Sequence, residues 1–172
     1  MTQRPTLIVF VDGRTVARVT PPAEIAPRAW RLGVVAVQVA ATGGAVSAVV
    51  RANETGRAEP AVVQLPPRAR VDVALAVPGR PAPALPRLPE LARPALSLSV
   101  DGVPAGRAAL DAPADGRAFG HVYCRWLRAG GSECGCDLTR LQPWRQGVKH
   151  PRVASRPVRP PAVVTYQIAL PG

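Results

Sequence analysis

Residues 6–20 read TLIVFVDGRTVARVT, and this stretch predicts how the chain folds locally. Two valine-rich runs flank Asp12-Gly13, and an Asp-Gly pair between β-branched runs is a favoured two-residue hairpin turn. In the second run Arg14 and Arg18 alternate with less polar residues, so one face of that strand can contact water. The stretch therefore predicts a β-hairpin with one buried face.

Further valine-rich runs follow this hairpin at short spacing. Residues 32–52 place Gly43-Gly44 between two of them, residues 61–65 and 68–77 form two more, and residues 162–170 form the last. Valine density and central glycines favour strands over helices. Roughly eight or nine strands predict an all-β fold, either an immunoglobulin-like β-sandwich or a small barrel. The Cys…Trp…Cys hallmark of immunoglobulin domains is absent, so the prediction concerns architecture and not family.

One sequence pattern occurs twice. Residues 95–110, ALSLSVDGVPAGRAAL, repeat the order of apolar strand, Val-Asp-Gly and apolar strand that begins at residue 6. The echo indicates either a duplicated hairpin or the same turn solution used twice. Turns of this kind recur in β proteins, so we favour the second interpretation.

Residues 78–94, PGRPAPALPRLPELARP, carry a proline at nearly every second or third position. Such sequence is extended and resembles polyproline II. It could link two domains, but the strands on either side resemble each other, so we predict a Pro-rich crossover within one fold. The chain is thus predicted to be one domain, residues 1–172, in which residues 119–161 are an insertion.

All three cysteines lie in residues 119–138, FGHVYCRWLRAGGSECGCDL. With His121 they have the spacing His121-x2-Cys124-x9-Cys134-x-Cys136, and three cysteines with one histidine are a common ligand set of structural zinc. In an extended strand His121 and Cys124 would point to opposite faces. The site therefore needs a turn or bulge, which the glycine before the histidine permits. We predict a hairpin stapled by zinc.

Other uses of these residues stay open. An iron–sulfur cluster is less often met with this ligand set, and His150 is an alternative fourth ligand. A disulfide from Cys124 to Cys134 or Cys136 would leave one odd cysteine, and three reduced thiols would need no partner. Cys124 with His121 as its base would make a nucleophile, but such dyads are rarely adjacent in sequence.

Residues 139–161, TRLQPWRQGVKHPRVASRPVRPP, form a basic loop without an acidic residue, in a chain of formal net charge +11. Arginine pairs with phosphate through two hydrogen bonds, and a tryptophan can stack on a base. The alternative is a solvated loop, or one that docks on an acidic neighbouring subunit. The candidate anion- or nucleic-acid-binding residues are Arg140, Trp144, Arg145, Lys149, Arg152, Arg156 and Arg159.

The apolar runs of the chain are short. The first of them ends at Asp12-Gly13, too early for a signal peptide. No run approaches the roughly 18 apolar residues of a membrane-spanning helix. We therefore expect a cytoplasmic protein without a membrane partner, whose cysteines are reduced.

The residues that carry acid–base chemistry are scarce. The chain has two histidines and 11 acidic residues, and it shows no phosphate-binding glycine loop. We therefore predict a protein that is not an enzyme and has no small-molecule substrate. The predicted function is that of a structural or adaptor subunit, which binds other protein subunits in a phage- or virion-like particle or in an enzyme complex. The first alternative is a nucleic-acid-binding module that uses the basic loop, and the second is a cysteine or metal enzyme.

Overall fold

The computed structural model describes residues 4–20, 34–53, 59–110, 116–126, 132–141 and 152–172. These residues form twelve β-strands and no helix. The all-β prediction is confirmed, and the strands outnumber those predicted from the sequence. The strands are β1 Thr6–Val11, β2 Arg14–Val19, β3 Val34–Thr42, β4 Ala45–Ala52, β5 Ala61–Leu65, β6 Arg68–Ala76, β7 Ala95–Val100, β8 Val103–Ala109, β9 Gly116–Trp126, β10 Ser132–Leu141, β11 Arg152–Val158 and β12 Ala162–Ala169.

The strands form two antiparallel six-stranded sheets, as in a β-sandwich. Sheet A has the order β2-β1-β6-β12-β7-β8, and sheet B has the order β11-β10-β9-β3-β4-β5. Residues of both sheets join one buried cluster of mainly valine, leucine and alanine. Immunoglobulin sandwiches have about seven to nine strands, so the immunoglobulin-like arrangement is not confirmed.

Burial alternates along β4, where Ala48, Val50 and Ala52 are buried between more exposed residues, as a period-two pattern requires. Strand β1 is instead buried at Leu7, Ile8 and Val9 in succession. In β1, Leu7 and Val9 have no exposed surface, and burying such a side chain stabilises the fold by about 1.5–3 kcal/mol. The central strands of sheet A, β6 and β12, are instead buried at nearly every position. Both faces of the centre of sheet A are therefore covered.

The cover on the outer face of sheet A is the strap, residues 78–94, which connects β6 to β7. Leu85 of the strap packs against a small apolar cluster formed by Ile8, Ala74 and Val163. Strand β12 lies between β6 and β7 in the sheet, so the strap joins two parallel strands that are not neighbours. Further along, three strap carbonyls accept hydrogen bonds from sheet side chains. These bonds run from Arg70 Nη2 to Pro86, from Gln167 Nε2 to Pro89 at 2.9 Å and from Arg68 Nη1 to Leu91 at 3.3 Å.

A charged pair lies under the strap. The Asp72 carboxylate is 1% exposed and accepts two hydrogen bonds from Arg70, from Nε at 2.9 Å and from Nη2 at 3.0 Å. The hydroxyl of Thr165 donates to the same carboxylate at 2.6 Å. The bidentate hydrogen bonds from Arg70 compensate the buried charge of Asp72, which would destabilise the fold if it were unpaired.

The two halves of the chain repeat each other. If β1 is exchanged with β7, β2 with β8, and so on to β6 with β12, each sheet keeps the same strand order, read from its other edge. The central pairs are β6 with β12 in sheet A and β3 with β9 in sheet B, so the halves meet by antiparallel pairing. The chain therefore has the strand order of a two-fold dimer joined into one molecule. Residues 119–161, predicted as an insertion, supply most of β9 together with β10 and β11.

The two Asp-Gly turns show the repeat in atomic detail. Asp12 and Asp101 both have positive φ, 47° and 49°. The N–H of Asp12 donates to the carbonyl oxygen of Arg70 in β6 at 2.9 Å, and the carboxylate of Asp12 accepts from the N–H of Arg70 at 3.0 Å. Asp101 exchanges the same pair, both 2.8 Å, with Val163 in β12. The interpretation of the sequence echo as a common turn solution is therefore wrong, because the whole surroundings of the hairpin are duplicated. The register shift also recurs at the equivalent place, at Val9/Phe10 in one hairpin and Leu98/Ser99 in the other.

Candidate functional site

The three cysteines lie side by side in sheet B. Cys124 in β9 is directly opposite Cys134 in β10, with 4.1 Å between the Cα atoms, and the two form a disulfide. Cys136 lies on the same side of β10 and is a buried free thiol. The disulfide is one of the alternatives left open by the sequence, and it differs from the expectation that all the cysteines are reduced.

His121 lies on the other side of β9 from the cysteines. Strand β9 is extended through Gly120, so Val122 and Cys124 point into the core and His121 points to the outer face. Within the described ranges, no three histidine, cysteine, aspartate or glutamate residues lie close enough to hold a metal ion. The predicted zinc site and the iron–sulfur alternative are therefore not supported, because β9 lacks the turn they need and a disulfide uses two of the thiols. His150 lies outside the described residues.

The cysteines occupy positions that are aliphatic core in the other half of the molecule. A row of paired residues crosses β3, β4 and β5, and an equivalent row crosses β9, β10 and β11. The first row ends at Leu65 of β5 and the second at Val158 of β11. Each is the buried last residue of its strand, just before the turn into β6 or β12. The first half is buried and apolar at all these positions, so the cysteines fill core sites. The equivalent residues are Val39 and Cys124, Ala48 and Cys134, Leu65 and Val158, and, on the neighbouring row, Val50 and Cys136.

The free thiol is not activated. Burial and, to a smaller extent, the charge of Asp137 raise the pKa of the Cys136 thiol to about 11. A backbone hydrogen bond from Arg156 and its charge lower that pKa without outweighing burial. The thiolate is the nucleophilic form of cysteine, so a thiol that stays protonated at neutral pH is unreactive.

Gly120 provides space for a neighbouring ring. The ring of Tyr166, from β12, lies against Gly120, where a Cβ atom would overlap it. The tyrosine hydroxyl lies 2.9 and 3.0 Å from the carbonyl oxygens of His121 and Asp137. Burial raises the pKa of Tyr166 well above its usual value, so the hydroxyl remains a neutral donor. The glycine before the predicted zinc ligand therefore serves packing and not a turn.

The outer face of sheet B carries the β9 stripe, which consists of Phe119, His121, Tyr123 and Arg125. The rings of Phe119 and His121 stack with centroids 6.0 Å apart and planes 10° from parallel. The guanidinium of Arg125 lies 5.4 Å from the centre of the Tyr123 ring, a cation–π distance. Tyr123 lies across Gly135 of β10, where a Cβ atom would clash with it. The stripe is therefore flat and half-buried, with an exposed cation at one end.

Among the side chains that the structure describes on the four inner strands of sheet B, this face carries two cations and two anions. The outward-pointing cations described there are Arg51 and Arg125, and the anions are Glu133 and Asp137. Among the described residues, Asp137 Oδ1 is buried without a hydrogen-bond partner. A buried acceptor left unpaired costs about 1–3 kcal/mol. A donor supplied from beyond the described residues would therefore be stabilising at Asp137.

The predicted basic loop falls partly within the described residues. Arg140 is half-buried near the end of β10. Arg152 and Arg156 are exposed on the edge strand β11, and Arg159 is exposed just after it. These three arginines lie on or beside one edge of sheet B, whereas the β9 stripe runs along a central strand. The loop residues outside the described ranges are Trp144, Arg145 and Lys149.

Phe119, Tyr123 and Arg125 were not predicted from the sequence as site residues. The available signal was alternation, because residues 119, 121, 123 and 125 are aromatic or basic and are separated by residues that face the core. The cysteine spacing in the same stretch suggested metal ligands instead. The period-two pattern carried more information about the surface than the spacing did.

A comparison of the chain with protein-family models, with curated proteins and with solved structures finds no match. In the part of the chain that the structure describes, no helix has the length and apolar character needed to cross a membrane. No function is inherited from a relative, so the chemistry of the surface carries the proposal.

Proposed function

We propose that this protein is a non-enzymatic adaptor subunit, which binds other proteins of an assembly through the outer face of sheet B. The observation that carries the proposal is a contrast between the two sheets. The strap covers the outer face of sheet A and buries its apolar residues. Among the described residues, no segment lies over the outer face of sheet B, and the aromatic β9 stripe remains half-exposed there.

The chemistry of the β9 stripe fits a protein partner. Tyrosine and arginine are enriched among the residues that dominate protein interfaces. Tyr123 is already held by Arg125 and Gly135, so it loses little freedom on binding. Binding to a phosphate backbone requires a surplus of cations, and the described side chains of the four inner strands show none on this face.

Two observations support a role without catalysis. Cys124 is held in a disulfide, and the pKa of Cys136 is raised to about 11, so neither thiol is an activated nucleophile. His121 points away from both of them. The hypothesis of a cysteine or metal enzyme therefore has less support than an adaptor that binds other subunits.

We place the adaptor in the cytoplasm, as the sequence predicts. The Cys124–Cys134 disulfide is the observation that opposes this location, because disulfides are rare in the cytosol. Thiol labelling of the protein in intact source cells would decide the point. A disulfide that persists there in most molecules would contradict the cytoplasmic location.

The adaptor proposal is tested with a photoreactive phenylalanine analogue at position 123, introduced into the protein in its source cells. The matched control carries the analogue in place of Val103 of β8, which is 59% exposed in the other sheet. We expect one protein partner to crosslink at position 123 and not at position 103. With that partner purified, Tyr123→Ser/Arg125→Ser should weaken binding by at least about 10-fold, or 1.4 kcal/mol.

The control for that double variant is Arg107→Ser, which removes a cation from edge strand β8 and should leave affinity unchanged. Crosslinks that form equally at positions 103 and 123 would contradict the proposal. Full affinity of the double variant would contradict it as well, because the β9 stripe would then not be the contact.

A nucleic-acid-binding module remains the second candidate, favoured by the net charge of +11 and by the half-exposed rings of Phe119 and Tyr123. It would use the basic loop, residues 139–161. Its affinity for single-stranded RNA or DNA should fall steeply with salt, because bound cations are released from the phosphates. An adaptor should instead hold its protein partner with little dependence on salt.

A further inference from the structure

Edge strands expose backbone N–H and C=O groups that can pair with another chain, and proteins block them with charge, proline or bulges. This sandwich has four edge strands, β2 and β8 in sheet A and β5 and β11 in sheet B. Strand β5, with the sequence AVVQL, contains no arginine or proline, whereas the other three do. The blocking residues are Arg14 and Arg18 in β2, Pro104 and Arg107 in β8, and Arg152, Arg156 and Pro157 in β11.

The repeat shows which residues make the difference between the two edges of sheet B. Val63 and Gln64 of β5 stand where the equivalent strand β11 has Arg156 and Pro157. Proline has no N–H, and Pro157 pairs with its neighbouring strand in the register that Gln64 has in β5. The N–H of Gln64 therefore points away from β4, toward the open side of the sheet.

The open edge is short and has a cation beside it. Among the described residues, β5 pairs with β4 alone. Val62 is 51% exposed on the outer face and pairs with Arg51 of β4, which is also exposed. Leu65 is buried and anchors the end of the strand. Pro60 and Pro66 flank β5, so the edge that can pair is limited to this strand.

We propose that the β5 edge binds an extended, acidic peptide segment of a partner protein, which pairs with β5 as an additional strand of sheet B. In such pairing, backbone hydrogen bonds supply affinity and alternate side chains supply specificity. The charge of the chain selects the occupant. A second copy would bring another +11 and repel, whereas carboxylates on the outer face of the added strand would share that face with Arg51, which lies two strands away on β4. This inference rests on the proposed protein-binding function and specifies the chemistry of the partner.

The test uses the full chain and a fluorescent peptide, blocked at both ends, in which glutamate alternates with valine. One matched probe has lysine in place of glutamate, and the other has methyl groups on alternate backbone nitrogens. By fluorescence polarisation, we expect the glutamate peptide to bind at least about 10-fold more tightly than either matched probe. The first probe loses charge complementarity, and the second loses backbone donors.

A guarded variant, Val63→Arg/Gln64→Pro, gives β5 the residues of β11 and should weaken binding of the glutamate peptide by at least about 10-fold. The matched control is Val153→Arg, which adds an arginine at a 43% exposed position of β11 and should leave binding unchanged. Amide hydrogen exchange of Val62 and Gln64, whose N–H groups point to the open side, should slow when the glutamate peptide is bound, while that of Val63, which points toward β4, should change little.

Equal binding of the glutamate and methylated peptides would overturn the inference, and so would equal binding by the wild type and the guarded variant. Failure of every peptide to bind would also overturn it. A concentration-dependent dimer that the guarded variant abolishes would identify a second copy as the occupant instead. Crosslinking at position 123 does not depend on β5, so a partner that still crosslinks there would leave the proposed function intact.

Discussion

Cys136 lies two residues from a closed disulfide, and this arrangement predicts the number of thiols that can be titrated. In denaturant without reductant we expect about one reactive thiol per chain, rising to all three after reduction. In the folded protein the free thiol should react slowly, because it is buried and protonated. A colorimetric thiol assay measures both quantities. Three thiols without reductant, together with about one zinc per chain by elemental analysis, would restore the zinc site.

The same thiol makes stability depend on pH in the alkaline range. The pKa of Cys136 is raised from 9.0 to about 11, so the folded chain keeps a proton that the unfolded chain loses. The free energy of unfolding should therefore stay level below about pH 9 and fall as the pH rises from about 9 toward 11. Tyr166, whose pKa is also raised, should add to the fall. Urea titrations across this range would measure it.

The matched variant for this prediction is Cys136→Val, which installs the residue found at the equivalent position, Val50. It should make the alkaline fall in stability smaller without abolishing it, because Tyr166 still contributes. An unchanged fall in the variant would show that the thiol of Cys136 keeps its ordinary pKa in the folded chain.

The lack of a side chain at Gly120 makes room for the large ring of Tyr166. In the other half of the molecule both equivalent positions, Val35 and Val73, are valine. A side chain at Gly120 would overlap the Tyr166 ring, so Gly120→Val alone should destabilise the fold by about 1–3 kcal/mol or more. Tyr166→Val alone should cost about 3 kcal/mol, because it leaves a cavity. Chemical denaturation of each variant gives the values.

The double variant Gly120→Val/Tyr166→Val provides the control for these two substitutions. It should be more stable than the sum of the single effects predicts, by about 0.5–3 kcal/mol, because each change makes room for the other. Strict additivity would mean that the ring and the glycine do not contact each other in solution.

At the scale of elements, the strap depends on a charged pair beneath it. Arg70→Val leaves the buried carboxylate of Asp72 without its cation and removes a hydrogen bond to the strap, so it should destabilise the fold by about 3 kcal/mol. Arg70→Val/Asp72→Thr installs the residues found at the equivalent positions, Val163 and Thr165. The double variant should recover at least about 1 kcal/mol, because no charge remains buried. Thermal or urea unfolding measures both variants, and a double variant less stable than Arg70→Val would contradict this account.

The strands themselves were predictable where local chemistry decides them. The hairpin of residues 6–20 has the Asp-Gly turn expected from the sequence, with positive φ at both turn residues. The path of β9 was not predictable, because Gly120 is as compatible with a turn as with an extended strand. What keeps β9 extended is the ring of Tyr166, which comes from a strand far away in sequence. A contact of that kind leaves no local signal.

At the scale of the whole molecule, composition and periodicity predicted the all-β class but not the duplication. The two halves share the same turn, the same strand register and the same pattern of buried positions, but most equivalent positions carry different residue types. Val39 and Cys124 are both small buried side chains, and a core accepts either one. Likewise, the exposure of the β9 stripe could not be predicted, because it depends on which sheet the strap covers.

The strap also changes what symmetry permits. In a homodimer each substitution occurs twice, once in each subunit, so an edge cannot be closed on one side and left open on the other. When the two halves belong to one chain, each half can be substituted independently of the other. The second half carries Arg156 and Pro157, which block strand pairing at its edge, while the first half has Val63 and Gln64 at the equivalent positions. The two edges of sheet B therefore differ, so the proposed peptide site occurs once per chain and would bind its partner with one-to-one stoichiometry.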